Sequence, residues 1–580
     1  MANMINIKIN GIDYVVESGT TILDACRQNG IRIPTLCYLK DINQIGACRV
    51  CVCEVKGARS LVAACVYPIE REGTEIFTNT PKVLKARKTT VELMLSNHNN
   101  SCNSCVRSTH CELQALSQEL GCDENKFEGA KNIYEEDVTP YLVRDNSKCI
   151  LCRRCVAVCE SRQHVHVIGT NHRGFHTSIG SAYEKSLNEV ACVACGQCIT
   201  VCPTGALREK DDIDIVAKAI ADPTKHVVVA TAPAVRVAIG EEFGNPIGTN
   251  VEGKMVTALK MLGFNKVFDV NFTADVTIME EGTELLGRIK NGGKLPMITS
   301  CSPGWINFIE QYYPQYLEHL STTKSPQGIY GALVKSYYAE TYNIDPKDIF
   351  VVSVMPCTAK KVERMRPNLA TNGISDIDAV LTTRELARFI KRSGILFNCL
   401  KDSHYDKFMG EGSTAGLIFG ATGGVMEAAL RTVKELVEHK PLEKIEFEQV
   451  RGTEGIKRAT VDIGGISVKV AIAHGIENAN SIMQEIKDGK ADYHFIEIMC
   501  CPGGCVTGGG QPIQPADVIN NIDVKKERAK AMYNTDSQAT LRKSHENIEV
   551  QELYKNYLGE PNSHKAHELL HTSYYNRKRK

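Results

Sequence analysis

The spacing of the cysteines constrains this chain more than any other feature of its sequence. The chain has 24 cysteines in 580 residues, and most of them fall in C-x-x-C groups. Such cysteines would form disulfides in a short exported protein, but this N-terminus alternates like a strand and has no basic region followed by an apolar stretch. We therefore interpret the cysteines as metal ligands and expect a cytoplasmic protein.

Length and charge limit the classes of partner. A chain of 580 residues is too long for one core, so several domains are expected. Lys+Arg (68) balance Asp+Glu (68), which gives no electrostatic reason to expect nucleic acid or an anionic membrane as a partner. The sequence shows no apolar run of about 18 residues that would predict a membrane span. The expected partner is a small molecule or another protein.

The first cysteine group lies in residues 1–80, where short alternating segments and an Asn-Gly turn predict a small, strand-rich, ferredoxin-like domain. Its spacing is C-x10-C-x2-C-x13-C. Four thiolates can hold a 2Fe-2S cluster, and zinc is the alternative, although zinc sites more often show two close pairs. The predicted ligands are Cys37, Cys48, Cys51 and Cys65. Cys26 and Cys53 fall outside the pattern and are interpreted as core thiols.

The second group, in residues 81–125, combines one histidine with three cysteines after a helical stretch. The predicted ligands are His98, Cys102, Cys105 and Cys111. On chemistry alone, this set could bind either zinc or an iron-sulfur cluster.

The third group, in residues 138–209, is a duplicated C-x2-C-x2-C-x3-C run. Bacterial two-cluster ferredoxins have this spacing, and the fourth cysteine of each run ligates the other cluster. One 4Fe-4S cluster is therefore assigned to Cys149, Cys152, Cys155 and Cys202, and the other to Cys192, Cys195, Cys198 and Cys159. Cluster domains in series without a nucleotide site predict electron transfer. Because all these motifs end before Asp211, we expect a separable electron-transfer segment.

Residues 210–515 have a different pattern, in which apolar strands precede helical segments such as 235–243, 274–290 and 383–391. This alternation predicts an α/β domain with parallel sheets covered on both faces. The predicted fold class is thus multidomain α+β and α/β, with small iron-sulfur domains before an α/β catalytic domain. Three cysteine-bearing loops follow predicted strands, where binding loops are expected. They contain Cys301, Cys357 and Cys501.

The three loops resemble the signature loops of the iron-only (FeFe) hydrogenases. They read TSCSPGW at 299–305, MPCTAKK at 355–361 and EIMCCPGGC at 497–505. The resemblance covers essentially the whole chain, including the module order and a small-subunit-like segment at 516–580. It implies reversible formation of H2 from two protons and two electrons. It also implies that the His98 group carries a 4Fe-4S cluster, which makes three accessory 4Fe-4S clusters and one 2Fe-2S cluster.

The resemblance implies a catalytic H-cluster as well. In the family this is a 4Fe-4S cubane bridged through one cysteine to a diiron unit that carries CO, cyanide and a dithiolate amine. Cys357, Cys501 and Cys505 match cubane ligands, with Cys505 expected to bridge, and Lys360 matches a residue that hydrogen-bonds a cyanide. The residues matching the pocket lining are Pro233, Gln327, Met355, Phe419 and Met499.

The same resemblance implies a path for protons. The matching positions are Cys301, Glu281, Ser321 and Glu284, with Arg288 near the outer end. Glu281 and Glu284 are three residues apart on a predicted helix and therefore share a face.

One position departs from the family pattern. The family has a second cysteine after Cys301 as the fourth cubane ligand, and this chain has Ser302 there. Ser302 can ligate through oxygen, Cys301 can take over ligation, or the site is altered and weakly active. Cys500, beside Cys501, is either a spare thiolate or a buried small residue, and we expect the latter.

The expected electron partner is ferredoxin. The alternative is that the chain is the catalytic subunit of an NAD(P)H- and ferredoxin-linked, electron-bifurcating complex with a flavin-containing subunit. Maturation proteins would insert the diiron unit. A hypothesis from another class, suggested by Ser302, is a low-activity redox scaffold or hydrogen sensor.

Overall fold

The N-terminal residues form a small sheet around the first cysteine group. The computed structural model describes residues 3–123 and 126–577. Ile5, Ile7 and Ile9 alternate into the core, which fixes one face of the first strand. The strand order is β2-β1-β5-β3-β4. The elements are β1 (Met4–Ile9), β2 (Ile12–Glu17), α1 (Ile22–Gln28), β3 (Val52–Val55), β4 (Val62–Ala63) and β5 (Thr74–Phe77).

The next two cysteine groups lie on short elements. Thr80 caps the helix that precedes His98, and Pro81 occupies its first turn. The duplicated run lies in the chain between β7 and β10 of a three-stranded sheet, whose strand order is β10-β7-β6. The elements are α2 (Pro81–Ser96), α3 (Glu112–Glu119), β6 (Asp137–Val138), β7 (Leu142–Arg144), α4 (Arg154–Ser161), β8 (Gly169–Asn171), β9 (Ser178–Gly180), α5 (Gln197–Thr200) and β10 (Leu207–Glu209).

Two four-stranded sheets build the large domain. The first, β12-β11-β14-β17, is parallel throughout. The second, β13-β20-β19-β18, is parallel except for its antiparallel edge strand β18. The strands are β11 (His226–Thr231), β12 (Lys266–Asp269), β13 (Met297–Ile298), β14 (Ile349–Met355), β15 (Ala370–Thr371), β16 (Ile374–Ser375), β17 (Ala379–Thr382), β18 (Ile456–Ile463), β19 (Ile466–His474) and β20 (Phe495–Met499). The expected parallel sheets are confirmed.

Helices cover these sheets. The long helix α8 packs against α10, α14 and α15. The helices are α6 (Ile213–Ala221), α7 (Glu252–Leu262), α8 (Val270–Asn291), α9 (Pro303–Tyr312), α10 (Pro326–Leu333), α11 (Ala339–Tyr342), α12 (Ala359–Glu363), α13 (Thr383–Arg392), α14 (Thr414–Ile418), α15 (Gly424–Glu438), α16 (Ile476–Lys487), α17 (Ala516–Ile519), α18 (Val524–Gln538), α19 (Ile548–Leu553) and α20 (His564–Leu570). In the part of the chain that the structure describes, none of them has the length and apolarity needed to cross a membrane.

The prediction of a helix over residues 235–243 is wrong. Two short 3-10 turns, Pro233–Val235 and Ile239–Phe243, replace it, and Ala238 between them has φ −129°, outside the helical region. Arg236 lies in the same segment, and its guanidinium is paired with Asp269 at 2.6 Å. A buried ion pair with a residue of a neighbouring strand therefore shapes this segment more than its apolar periodicity does.

One hydrophobic core joins the duplicated cluster domain to the large domain. It contains Leu142 and Ile199 from the first together with Trp305, Ile309 and Ile496 from the second. A buried ion pair between Glu209 and Arg384, 2.6 Å apart, also crosses this boundary. The expectation of a separable electron-transfer segment therefore does not fit the packing, because cutting the chain near residue 211 would expose part of a shared core.

A buried charge network holds the C-terminal segment to the large domain. Arg431 on α15 pairs with Glu427 at 2.7 Å and with Asp536 of α18 at 2.8 Å. All three side chains are completely buried.

We predict that Arg431→Met destabilises the protein by about 1.5–3 kcal/mol, because Glu427 and Asp536 each lose a charge-assisted hydrogen bond. Each carboxylate keeps a second cation, since Arg451 pairs with Glu427 and Arg542 pairs with Asp536. Thermal unfolding measures the loss. Arg392→Met is the matched control, since its pair with Asp214 lies on the surface and should leave the unfolding temperature unchanged. Equal effects of the two substitutions would contradict the prediction.

Candidate functional site

Three loops at the carboxyl ends of strands meet around one buried cavity. Cys301 follows β13, Cys357 follows β14, and Cys501 follows β20. Every residue predicted to hold or line the catalytic group borders this cavity, namely Pro233, Cys301, Gln327, Met355, Cys357, Lys360, Phe419, Met499, Cys501 and Cys505. Ser302, Cys500 and Cys195 also border it.

The thiols of this cavity suit a metal cluster. Burial raises the pKa of Cys357, and it raises the pKa of Cys505 to about 12. Interaction with Cys500 lowers the pKa of Cys501. A metal would stabilise the thiolate forms that burial alone disfavours.

Gly504 shapes the backbone between two of these thiols. It has φ +99°, and a Cβ there would lie 2.8 Å from the backbone nitrogen of Thr422. Only glycine meets both demands. This lets Cys501 and Cys505 face the same cavity.

The ammonium group of Lys360 is fixed at the rim of the cavity. It donates to the Ser325 hydroxyl at 2.8 Å, to Glu363 Oε2 at 2.8 Å and to the carbonyl oxygen of Cys301 at 3.3 Å. Gln327 donates to the same carboxylate at 2.8 Å. Glu363 therefore orients two cavity residues, a role that the sequence pattern did not reveal.

The residues predicted for a proton path lie in a row between the cavity and the more exposed Arg288. The charge of Glu281 contributes to the raised pKa of Cys301, and Ser321 lowers the pKa of Glu281, so both residues lie close enough to this carboxyl group to affect titration. The Ser321 hydroxyl donates to Glu284 Oε2 at 2.9 Å, and Arg288 pairs with Glu284 at 2.6 Å. The structure therefore brings together all the residues predicted for a proton path.

Glu281 is the most perturbed carboxyl group of this row. It is 1% exposed, and within the described residues neither of its oxygens has a hydrogen-bond partner. Burial, followed by the charge of Glu284, raises the pKa of Glu281 to about 8. The group is therefore neutral at pH 7 and can exchange a proton close to that pH.

The first cysteine group is gathered within the N-terminal domain. The Sγ atoms of Cys51 and Cys65 are 3.4 Å apart. Interactions with Cys48 and Cys65 lower the pKa of Cys37. Cys26 and Cys53 are also completely buried, and Cys53 lies 3.8 Å from Nη2 of Arg87.

The histidine of the second group is suited to ligation. His98 is 7% exposed, and its Nδ1 has no hydrogen-bond partner in the described part of the chain. Burial lowers the pKa of His98 to about 4, so the imidazole is neutral and can offer a lone pair. Cys102, Cys105 and Cys111 follow on the next turns, each partly exposed.

The duplicated run shows the crossed arrangement. A cavity is lined by Cys149, Cys152, Cys155 and Cys202. In the second predicted cluster site, burial and then the charge of the neighbouring Cys195 raise the pKa of Cys159 to about 11. Cys192 and Cys198 adjoin the same two thiols.

The loop that carries Cys195 touches the catalytic loops directly. The hydroxyl of Thr358 donates to the carbonyl oxygen of Ala194 at 2.7 Å, and Gln197 donates to the carbonyl oxygen of Thr507 at 2.8 Å. A Cβ at Gly509 would lie 2.2 Å from the carbonyl oxygen of Cys195. The glycines at 508–510 therefore allow the two ligand-bearing loops to approach each other.

Family models match this architecture along the chain. Residues 225–509 match the model "Iron only hydrogenase large subunit, C-terminal domain", and residues 522–577 match "Iron hydrogenase small subunit". The chain is 45% identical over its full length to the complete NADP-reducing hydrogenase subunit HndD of Solidesulfovibrio fructosivorans. The chain belongs to the iron-only hydrogenases. It is an oxidoreductase that acts on hydrogen.

Two further comparisons extend this assignment. The hydrogenase is 46% identical to iron hydrogenase 1 of Clostridium pasteurianum over 98% of this chain and 100% of that protein. A structure of a variant of the FeFe-hydrogenase HydA1 from Chlamydomonas reinhardtii superposes with a TM-score of 0.57 at 41% identity, covering 64% of this chain and 100% of that one.

The N-terminal matches identify iron-sulfur domains in this hydrogenase. Residues 2–81 match a 2Fe-2S binding domain, residues 87–126 match the iron-sulfur binding region of NADH-ubiquinone oxidoreductase G, and residues 148–206 match a 4Fe-4S dicluster domain. These matches favour iron-sulfur clusters over zinc in the first two groups.

Sequence reasoning missed the part that the C-terminal segment plays in the hydrogenase site. The hydroxyl of Tyr574 donates to the carbonyl oxygen of Ser321 at 2.9 Å. His571 contacts the hydroxyl of Thr322 at 2.8 Å and Glu280 at 3.0 Å. These partners are more than 240 residues apart along the chain, and no local sequence pattern predicts their contacts.

We predict that the Glu281 carboxyl group stays protonated at neutral pH and ionises as the pH rises through about 8. Infrared difference spectra between neutral pH and about pH 9 should show the loss of a protonated carboxyl band. Glu281→Gln should lack this band, whereas Glu318→Gln, a change at an exposed residue, should keep it. A band that persists in Glu281→Gln would contradict the prediction.

Proposed function

We propose that this hydrogenase moves electrons between a protein partner and hydrogen through one 2Fe-2S cluster, three accessory 4Fe-4S clusters and a catalytic H-cluster. The observation that carries the proposal is the convergence of three cysteine-bearing loops on one buried cavity beside Cys195. The proposed accessory ligands are Cys37, Cys48, Cys51 and Cys65; His98, Cys102, Cys105 and Cys111; Cys149, Cys152, Cys155 and Cys202; and Cys192, Cys195, Cys198 and Cys159.

The catalytic cavity would hold a cubane through Cys357, Cys501 and Cys505, with Cys505 shared with the diiron unit. When bound, this group supplies the metal centre at which two protons and two electrons combine. Lys360, already positioned by Glu363, would donate a hydrogen bond to a cyanide. The diiron unit has few protein bonds in this scheme, so fixed donors of this kind must orient it.

The remaining cavity side chains would enclose the diiron unit. They are mostly apolar and buried, which keeps water away from the reacting centre. The proposed lining residues are Pro233, Gln327, Met355, Phe419 and Met499.

Protons would travel from Glu284 through Ser321 and Glu281 to Cys301. The contact between Ser321 and Glu284 at 2.9 Å provides the outer step. The pKa of Glu281, raised to about 8, lets that carboxyl both accept and release a proton near neutral pH. Arg288 pairs with Glu284 at 2.6 Å and would position this carboxylate.

Ferredoxin is the proposed electron partner, and maturation proteins would insert the diiron unit. The full-length similarity to a protein named as a subunit of an NADP-reducing hydrogenase supports a second arrangement, with a flavin-containing NAD(P)H dehydrogenase subunit as partner. Purification from the native cell discriminates them. A flavoprotein that co-purifies at equal stoichiometry supports the complex, and rapid turnover of the isolated chain with ferredoxin supports the simpler partner.

Infrared spectroscopy of the matured protein, combined with a hydrogen-evolution assay using a reduced dye, tests the function. We expect stretching bands of CO and cyanide together with hydrogen turnover. Bands without turnover would support the hydrogen-sensor hypothesis. Matured, iron-loaded protein without these bands would overturn the proposed H-cluster.

We predict that Cys301→Ala lowers turnover by about 10²–10⁴-fold while the CO and cyanide bands remain, because it removes a proton relay and not a ligand. Cys399→Ala is the matched control, since Cys399 is exposed and lies outside the cavity. Loss of the cubane from Cys301→Ala would show instead that Cys301 is a ligand.

A further inference from the structure

The proposed cubane lacks one ligand. A 4Fe-4S cluster held entirely by cysteine uses four thiolates, and the proposed function supplies three, from Cys357, Cys501 and Cys505. Four other side chains with thiol or hydroxyl groups border the cavity, namely Cys195, Cys301, Ser302 and Cys500. The question rests on the proposed function, since it concerns the ligands of the proposed cubane.

Two of these thiols have other neighbours. Cys195 adjoins Cys159 and Cys192 in the last accessory cluster site. Cys301 adjoins Glu281, at the inner end of the proposed proton path. Cys195 could ligate the cubane only by leaving the accessory cluster, and Cys301 only by leaving the proton path.

Ser302 is a poor donor in this position. Its hydroxyl oxygen already accepts the backbone N–H of Cys500 at 3.1 Å. A serine hydroxyl is a much weaker acid than a thiol, and oxygen is a harder donor than an iron-sulfur cluster prefers. The same hydrogen bond places Cys500 directly beside the serine.

The thiol of Cys500 is buried among the ligand loops. The residue is 4% exposed, and its thiol lies beside those of Cys501 and Cys195. A Cβ at Gly304 would lie 2.5 Å from Cys500 Sγ, so the glycine after Ser302 and Pro303 gives this sulfur its space. The chain thus has a thiol where two of its ligand loops meet.

Gln163 supplies an independent indication that an acceptor belongs here. It is 1% exposed, and its Oε1 accepts only a long contact of 3.7 Å from Cys500 Sγ. Among the described residues, its Nε2 has no hydrogen-bond partner. Buried amide donors are normally satisfied. A cluster-bound thiolate at Cys500 cannot donate to Oε1, and it would accept from Nε2 once the amide group is turned over.

We propose that Cys500 provides the fourth thiolate of the cubane, in place of Ser302. This assignment replaces the expectation that Cys500 is only a small buried residue. It leaves Cys301 free to exchange protons with Glu281. The ligand set would then draw two adjacent cysteines from the loop after β20.

The experiment uses the full chain, produced without maturation proteins and reconstituted with iron and sulfide. Cluster content can then be measured without relying on hydrogenase activity. Iron per chain and the electron paramagnetic resonance spectrum of the reduced protein are measured. Cys500→Ala should lose about one to four iron atoms and the cubane signal, as should Cys357→Ala. Ser302→Ala should retain both. Cys500→Ser should shift the cubane signal, because oxygen replaces sulfur.

Accessory-cluster signals that stay unchanged in every variant show that the chain has folded. Wild-type iron content and signal in Cys500→Ala would overturn the proposal, whether or not Ser302→Ala loses the cubane. An unchanged spectrum in Cys357→Ala has a different meaning, because it would overturn the proposed cubane itself.

Discussion

Thiol groups inside this hydrogenase are costly to ionise, and iron is what can keep them as thiolates. Burial raises the pKa of Cys357 and Cys505, so neither thiol would ionise on its own near neutral pH. Binding of a cluster offsets the free-energy cost of ionising these thiols only when all its ligands reach it together. The two sheets meet this demand by ending their strands at one cavity. The loops that follow β13, β14 and β20 are short, and each is anchored in a buried strand.

Polar contacts then fix these loops against the rest of the domain. Glu497, completely buried in β20, accepts the backbone N–H groups of Gly423 at 2.6 Å and Met426 at 2.8 Å, at the start of α15. Lys360 and Glu363 form a second anchored pair within α12. Buried polar and charged groups of this kind are stable only when they are hydrogen-bonded or paired. They hold the cavity walls in place around the thiols.

Much of the fold followed from local sequence patterns. The parallel strands at 226–231 and 349–355 are apolar runs followed by glycine, proline or small residues, and the structure places them where that pattern predicts. The helix over 383–392 begins with a capping box formed by Thr382 and Glu385. The prediction for 235–243 failed because Arg236 is drawn into a buried pair with Asp269. That contact depends on a neighbouring strand, and the periodicity of one segment cannot report it.

The sequence by itself determined which residues can bind metal, because ligand spacing is a local property and cysteine chemistry is specific. The C-x2-C-x2-C-x3-C runs and the three loop motifs can be read without any coordinates. Only the tertiary structure decided how these parts meet. It joined the duplicated cluster domain to the catalytic domain through one core, brought Tyr574 to Ser321, and placed Cys500 between Ser302 and Cys195. These contacts join residues far apart along the chain, and they arise from packing of whole elements, which no short segment encodes.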